Sequence, residues 1–257
     1  VTIVNPTALV VSASANTFSC SATNTKQSAT VTIDVPTTGT SPYKYSFNGG
    51  SFVVVTNPYT ATSAGTYIFR VTDTNNATIC QSTTSIVLDP IPTTVFNTTV
   101  TNVSCNGGND GSIKVNVTSG EGPYTYQLDT GTFQTSNIFT GLAAGTSYVV
   151  RVRNARQCVL SSIPITISEP TAIVATAVVT IPLSCGVGNL PQQATVTVTA
   201  SGGTGVLEYS FNGGSNYSTV NIYVTNTAGI VSALVRDANK CSIAAVSAPV
   251  LPLNPPT

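Results

Sequence analysis

The stretch SPYKYSFNGGSF, Ser41 to Phe52, recurs as GPYTYQLDTGTF from Gly122 to Phe133 and again as GVLEYSFNGGSN from Gly205 to Asn216. Self-similarity at a long fixed period means that one supersecondary unit has been copied, so the fold of one copy constrains the whole chain. Within each copy large apolar residues alternate with polar ones: Tyr43, Tyr45, Phe47, then Tyr124, Tyr126, Leu128, then Leu207, Tyr209, Phe211. Period two places the large side chains on one face of a half-buried strand. The aromatic rings are therefore expected in a core, rather than on a sugar-binding platform. Asn48-Gly49-Gly50, Asp129-Thr130-Gly131 and Asn212-Gly213-Gly214 follow. These residue types accept the positive φ of tight turns. Pro42 and Pro123 stand at the strand entrance, where a missing N–H does least harm, whereas the third copy has Val206.

The similarity extends in both directions. Upstream, FSCSATNTKQSATVTIDV, VSCNGGNDGSIKVNV and LSCGVGNLPQQATVTVTA each give a cysteine, a polar loop and an alternating strand. Downstream, each copy has Ala-Gly, an alternating strand, a polar turn and a second cysteine, then a closing strand ending on proline: SIVLDP, ITISEP, VLPLNP. Three repeats follow, at 7–90, 91–170 and 171–257. Their seams, Pro90-Ile91-Pro92 and Pro170-Thr171, are short and stiff, which favours an extended row. Residues 1–6, VTIVNP, copy a closing strand whose sandwich is not in the chain. Val1, Ile3 and Val4 are expected to complete a preceding repeat, upstream in a longer polypeptide or in a neighbouring subunit by strand donation.

Thr, Val, Ser, Asn and Gly dominate and no helical period persists, so the expected class is all-β, a tandem array of immunoglobulin-like sandwiches forming an extended rod. Six cysteines fall two per repeat: Cys20 and Cys80, Cys105 and Cys158, Cys185 and Cys241. One pair at matched positions per repeat predicts three bridges, each closed within its own repeat, and an oxidising compartment.

Charged residues make up 7% of the chain and the formal net charge is zero, which disfavours nucleic acid as a partner. No apolar run has the roughly 18 residues a membrane span needs. The chain has no histidine, so it cannot build a Ser-His-Asp or Cys-His arrangement by itself. Its carboxylates (Asp34, Asp73, Asp89, Asp110, Glu121, Asp129, Glu169, Glu208 and Asp237) are scattered. No catalytic residue, metal site or cofactor is expected. Asn109 and Asp110 could contribute to a calcium loop, but the matching loops of the other repeats carry no acid, which favours a capped polar turn. Asn76, Asn97, Asn102, Asn116 and Asn216 begin Asn-x-Ser/Thr sites, which mean nothing where the eukaryotic glycosylation pathway is absent.

The second repeat carries a motif set: Cys105 and Gly107, Asp110-Gly111-Ser112, Pro123 to Tyr126, Asp129 to Gly131, Phe139, Leu142 and Gly145, then Val152 to Cys158. It resembles the SprB repeat of large bacterial surface proteins, with Asn154 where that pattern has Asp. The first repeat keeps Pro42 to Tyr45, Asn48-Gly49, Gly65 and Asp73, and the third keeps Asn212-Gly213, Gly229, Asp237 and Cys241. The resemblance implies a non-catalytic shaft segment of a secreted adhesin of the Bacteroidota, outside the cell or attached to its surface, exported by the type IX route and in some relatives serving gliding motility. Its implied partners are neighbouring repeats or identical subunits end to end, and a surface polysaccharide or abiotic surface. The rival readings are a subunit of an extracellular fibre built by strand donation and a carbohydrate-binding module attached to a secreted enzyme.

Overall fold

The computed structural model describes residues 8–39, 41–53, 58–73 and 81–253. Val1, Ile3, Val4 and Cys80 lie outside these. The chain divides into two compact units, the first built from residues 1–97, 115–137 and 149–163 and the second from 98–114, 138–148 and 164–257.

In the first repeat the strands are β1 (Ala13–Ala15), β2 (Ser19–Cys20), β3 (Lys26–Gln27), β4 (Ala29–Ile33), β5 (Tyr43–Phe47), β6 (Tyr59–Ala61), β7 (Gly65–Asp73) and β8 (Gln81–Leu88). One antiparallel sheet has the order β1-β4-β6, and the other has the order β5-β7-β8. Ala29, Val31 and Ile33 of β4 point inward, as do Tyr67, Phe69 and Val71 of β7. Together with Phe18, Ala61 and Leu88 they form one buried core. Two sheets sharing a core make a sandwich, and the orders place strands A-B-E on one sheet and C-F-G on the other, an immunoglobulin-like arrangement.

The second repeat supplies β9 (Val95–Thr101), β10 (Gly111–Ser119), β11 (Thr125–Leu128), β12 (Ile138–Leu142), β13 (Ser147–Tyr148), β14 (Val150–Arg153), β15 (Val159–Ser161) and β16 (Ile165–Thr166). Its sheets have the orders β12-β10-β9 and β11-β14-β15, with β13 paired to β16. The third repeat supplies β17 (Val174–Ile181), β18 (Ser184–Cys185), β19 (Pro191–Gln192), β20 (Ala194–Ser201), β21 (Glu208–Ser210), β22 (Ile222–Thr225), β23 (Gly229–Arg236) and β24 (Val246–Val250). Its sheets have the orders β17-β20-β22 and β21-β23-β24. The same two strand orders thus recur three times along the chain. Among the described residues the only helix is the 3-10 turn Val187–Asn189.

The repeated stretch is strand β5, β11 or β21 followed by a turn. Asn48 and Asp129 adopt the positive φ expected of them, 48° and 50°. Each then acts as an extra residue of the strand ladder. Asn48 N–H donates to Ile68 O at 2.8 Å and its Oδ1 accepts from Ile68 N–H at 2.9 Å. Asp129 makes the same pair with Val149, both at 2.8 Å.

The alternation departs from expectation at one place. Ser46 and Ser210, on the polar face, are each only 1% exposed. The chain after the turn returns alongside the strand, where Val53 bridges to Tyr45 and Ser218 to Tyr209. The buried hydroxyls are satisfied locally, since Ser46 Oγ donates to Gly50 O at 2.5 Å and Ser210 Oγ to Asn212 Oδ1 at 2.8 Å.

Candidate functional site: cross-repeat docking

The chemistry that stands out lies where one repeat meets the next. Strands β2 and β3 pair with Ser19 opposite Gln27 and Cys20 opposite Lys26, making a short hairpin that projects from the first sandwich. Its partner is the turn Asn154–Cys158 between β14 and β15. That turn is a three-residue loop with Gln157 at φ 64°. Gln157 N–H donates to Asn154 O and Asn154 N–H to Cys158 O, both at 3.0 Å. Asn154 is buried, and its Oδ1 accepts from both Arg156 N–H and Cys158 N–H at 3.0 Å. The brace fixes where Cys158 points.

Cys20 and Cys158 are joined by a disulfide, with their Cα atoms 4.9 Å apart. Around it Cys20 N–H donates to Arg156 O at 2.8 Å. Asn24 grips Val159 twice: its Nδ2 donates to Val159 O at 2.9 Å and its Oδ1 accepts from Val159 N–H at 2.7 Å. The Arg156 guanidinium donates to Phe18 O at 3.3 Å and is held by Glu121 at 2.9 Å. Phe18 is completely buried, with the Lys26 ammonium 4.4 Å from its ring centroid.

The second compact unit repeats the arrangement one repeat later. Cys105 is bonded to Cys241, with their Cα atoms 5.6 Å apart. The receiving turn is Asp237–Cys241, with Lys240 at φ 69°. Lys240 N–H donates to Asp237 O and Asp237 N–H to Cys241 O, both at 3.0 Å. Asp237 is wholly buried, and its carboxylate accepts from Cys241 N–H at 3.0 Å and Thr204 N–H at 2.8 Å. Asn239 Nδ2 donates to Ser104 O at 3.0 Å.

The bridges therefore correct the pairing read from the repeats. Cys20 is bonded not to Cys80 but to Cys158; Cys105 not to Cys158 but to Cys241; and Cys185 is a free, exposed thiol. The opening cysteine of one repeat joins the closing cysteine of the next. A disulfide needs Cα atoms about 4.4–6.8 Å apart, and docking brings the neighbour's closing turn into that range. Two loops of 138 and 136 residues result. Each is worth about 5 kcal/mol in the chain-entropy account.

Asp110 takes the role of a turn brace. Its carboxylate accepts from Ser104 Oγ and from Ser104 N–H at 2.9 Å. These bonds, the hydroxyl first, hold it below the ordinary carboxylate range. Among the described residues no three acidic or cysteine side chains gather where they could hold a metal ion. Tyr45 and Phe47 pack against the first core. In the third repeat the equivalent ring pair is more open. Phe211 stacks on Tyr223 at 5.3 Å, as Phe47 does on Tyr59 at 4.8 Å. Where Tyr67 and Phe69 cover the first pair, β23 has only Val231 and Ala233, and Tyr223 is 38% exposed. A recess of about 320 Å³ opens there, lined by Phe211, Asn212, Tyr217 and Tyr223. The sequence signal for it was the loss of two aromatics on β23.

Sandwiches of immunoglobulin-like topology joined by disulfides define a structural class of repeat protein. Within that class, residues 97–133 match the SprB repeat family. A search of curated proteins finds no match. A solved structure described as the structural basis for Dscam isoform specificity aligns with 92% of this chain and 71% of its own, at 12% identity and a TM-score of 0.25, a likeness too loose to carry an argument. The disulfides fit an oxidising, extracellular setting, and no helix among the described residues is long and apolar enough to cross a membrane.

Proposed function

We propose that the chain is a non-catalytic shaft segment of a secreted bacterial surface adhesin, supplying length and mechanical strength between an anchor and an adhesive end. The observation that carries this reading is the pair of disulfides that join consecutive repeats. A protein that presents a site gains little from fastening each sandwich to the next, whereas a shaft under load gains a covalent route past its weakest noncovalent joints. The SprB repeat match supports a surface location, with export by the type IX route and attachment at the cell surface as the reading it favours. Polysaccharide or an abiotic surface is the proposed counterpart of the adhesive end. The test is small-angle scattering on the purified chain. Repeats in a row, each roughly 35–45 Å long, give a particle of about 110–130 Å. A radius of gyration near 18 Å, the value for a compact chain of this length, overturns the reading.

A second reading is favoured by the recess around Tyr223. An exposed ring with asparagine side chains beside it is suited to stacking on a sugar, so the third repeat could itself touch glycan. Titration with oligosaccharides tests it: binding lost in Tyr223→Ala supports it, and no heat with any glycan ends it.

A further inference from the structure

We infer that the hairpin formed by β18 and β19 is an open docking site for the closing turn of a following repeat, with Cys185 as the cysteine that bonds it. This deepens the shaft reading and rests on it for the identity of the partner.

Three independent observations converge on the hairpin. First, its backbone reproduces the docked one. Ser184 pairs with Gln192 and Cys185 with Pro191, the register of Ser19 with Gln27 and Cys20 with Lys26. Gly186 N–H donates to Leu190 O at 2.8 Å, as Ser21 N–H does to Thr25 O at 2.9 Å. In sequence, Asn189 follows Cys185 by the same step that separates Asn24 from Cys20.

Second, the site is more open at its cysteine and more apolar around it. Cys185 is exposed where Cys20 and Cys105 are half-buried, and Val187, 99% exposed, and Leu190, 69% exposed, stand where the docked hairpin has Ala22 and Thr25. Two residues before each opening cysteine stands an apolar side chain: Phe18 and Val103 are buried, but Leu183 is only half-buried. Third, the other two opening cysteines, Cys20 and Cys105, are both bonded to the closing cysteine of the next repeat, and Cys185 alone has none.

The occupant is a repeat joined in the same polypeptide, because both existing bridges join consecutive repeats across short proline-containing seams. The chemistry is thiol–disulfide exchange. The Cys185 thiolate attacks a glutathione disulfide, releasing one glutathione thiol and leaving a mixed disulfide. The incoming closing cysteine, as thiolate, attacks Cys185 Sγ and expels the second glutathione. The two protein thiols give up two protons and two electrons, and one glutathione disulfide becomes two glutathione thiols.

The experiment extends the chain. A second copy of residues 91–170 is joined after Pro255, the position matching Pro90 and Pro170, and the protein is refolded in a glutathione buffer. Non-reducing peptide mapping is expected to find Cys185 bonded to the added copy of Cys158, while Cys20–Cys158 and Cys105–Cys241 stay intact. The free-thiol titre at Cys185 falls to near zero. With Cys185→Ser in the extended protein, the added copy of Cys158 titrates as a free thiol while the hairpin amides stay slow to exchange, since docking precedes bonding. A free Cys185 in a folded extended chain, or a Cys185-linked dimer in place of the internal bridge, overturns the inference. Because the readout is a disulfide map, it is distinct from the scattering test of the shaft itself.

Discussion

Asn24 and Val159 are 135 residues apart, yet the side chain of one satisfies both backbone groups of the other, at 2.9 and 2.7 Å. Asparagine can do this because its amide carries a donor and an acceptor with the spacing of a peptide group. The hairpin tip thereby adds one side-chain rung to the edge strand β15.

Asn24→Ala removes both bonds and leaves two backbone groups to water. A loss of about 1–2 kcal/mol is expected for the docked state, since each such bond contributes about 0.5–1.5 kcal/mol net. The fold of the first sandwich remains, because Asn24 lies outside its core. Hydrogen exchange at the Val159 amide should quicken and Cys20–Cys158 should reduce faster. Unchanged exchange at Val159 contradicts the grip.

Asp237 braces the turn that presents Cys241, and Asn154 does the same for Cys158. Asp237→Ala removes the acceptor of the Thr204 and Cys241 N–H groups from a buried position and is expected to destabilise the second compact unit by about 1–3 kcal/mol. Asp237→Asn keeps an acceptor for Cys241 N–H, and Asn154 shows that an amide can hold such a turn. The milder variant should therefore fall between the other two in urea denaturation. Equal loss in both variants would mean that the charge, not the turn geometry, is what matters.

The strand alternation, the turns and the sandwich class were legible in the sequence, because each is set within a few residues. Asn48 and Asp129 took positive φ as their type predicts. The bridge pairing was not legible. A repeat of constant length places Cys158 at one fixed step from Cys105 and at another from Cys20, and nothing local distinguishes the two. Only docking of Asn24 and Arg156 across the seam selects the partner. The burial of Ser46 was not legible for a similar reason, because its hydroxyl is taken up by Gly50 in the turn beyond its own strand.

Acid should weaken two surface braces. Ser104 holds the Asp110 carboxyl below its ordinary range, and the Arg236 guanidinium, with Lys240, does so for Glu208. A carboxyl with a lowered folded pKa stabilises the fold above its unfolded pKa, about 4, and that contribution is lost as pH falls through the folded value. Melting temperature should thus be flat from pH 7 to 5 and fall below about 4. Asp110→Asn should start lower and lose less on acidification. A variant whose acid slope equals that of the parent removes Asp110 from the account.

The interlaced bridges make a distinct mechanical prediction. Stretched between Cys20 and Cys241, an unfolded chain without disulfides runs through all the intervening residues, roughly 770 Å at about 3.5 Å per residue. With both bridges closed, three routes lie in parallel. One crosses from Cys20 to Cys158 and follows the backbone to Cys241; another follows the backbone from Cys20 to Cys105 and crosses there; the third crosses to Cys158, runs back along the backbone to Cys105 and crosses again. The third is the shortest, with just over fifty residues of backbone, so the span stops at about 190 Å. Bridges confined within single repeats would not overlap and would not put two backbone routes side by side. Single-molecule pulling should therefore show the short limit in oxidising buffer and the long one after reduction. Cys158→Ser opens one bridge only. The remaining one, Cys105–Cys241, leaves the backbone from Cys20 to Cys105 as the route, so the limit lengthens to about 300 Å and a single strand now carries the load. Cleaving the backbone once between Cys20 and Cys105, in the loop around Gly39, separates the cases. The doubly bridged chain holds through the two routes that leave by the Cys20–Cys158 bridge, whereas the Cys158→Ser chain parts at that cut.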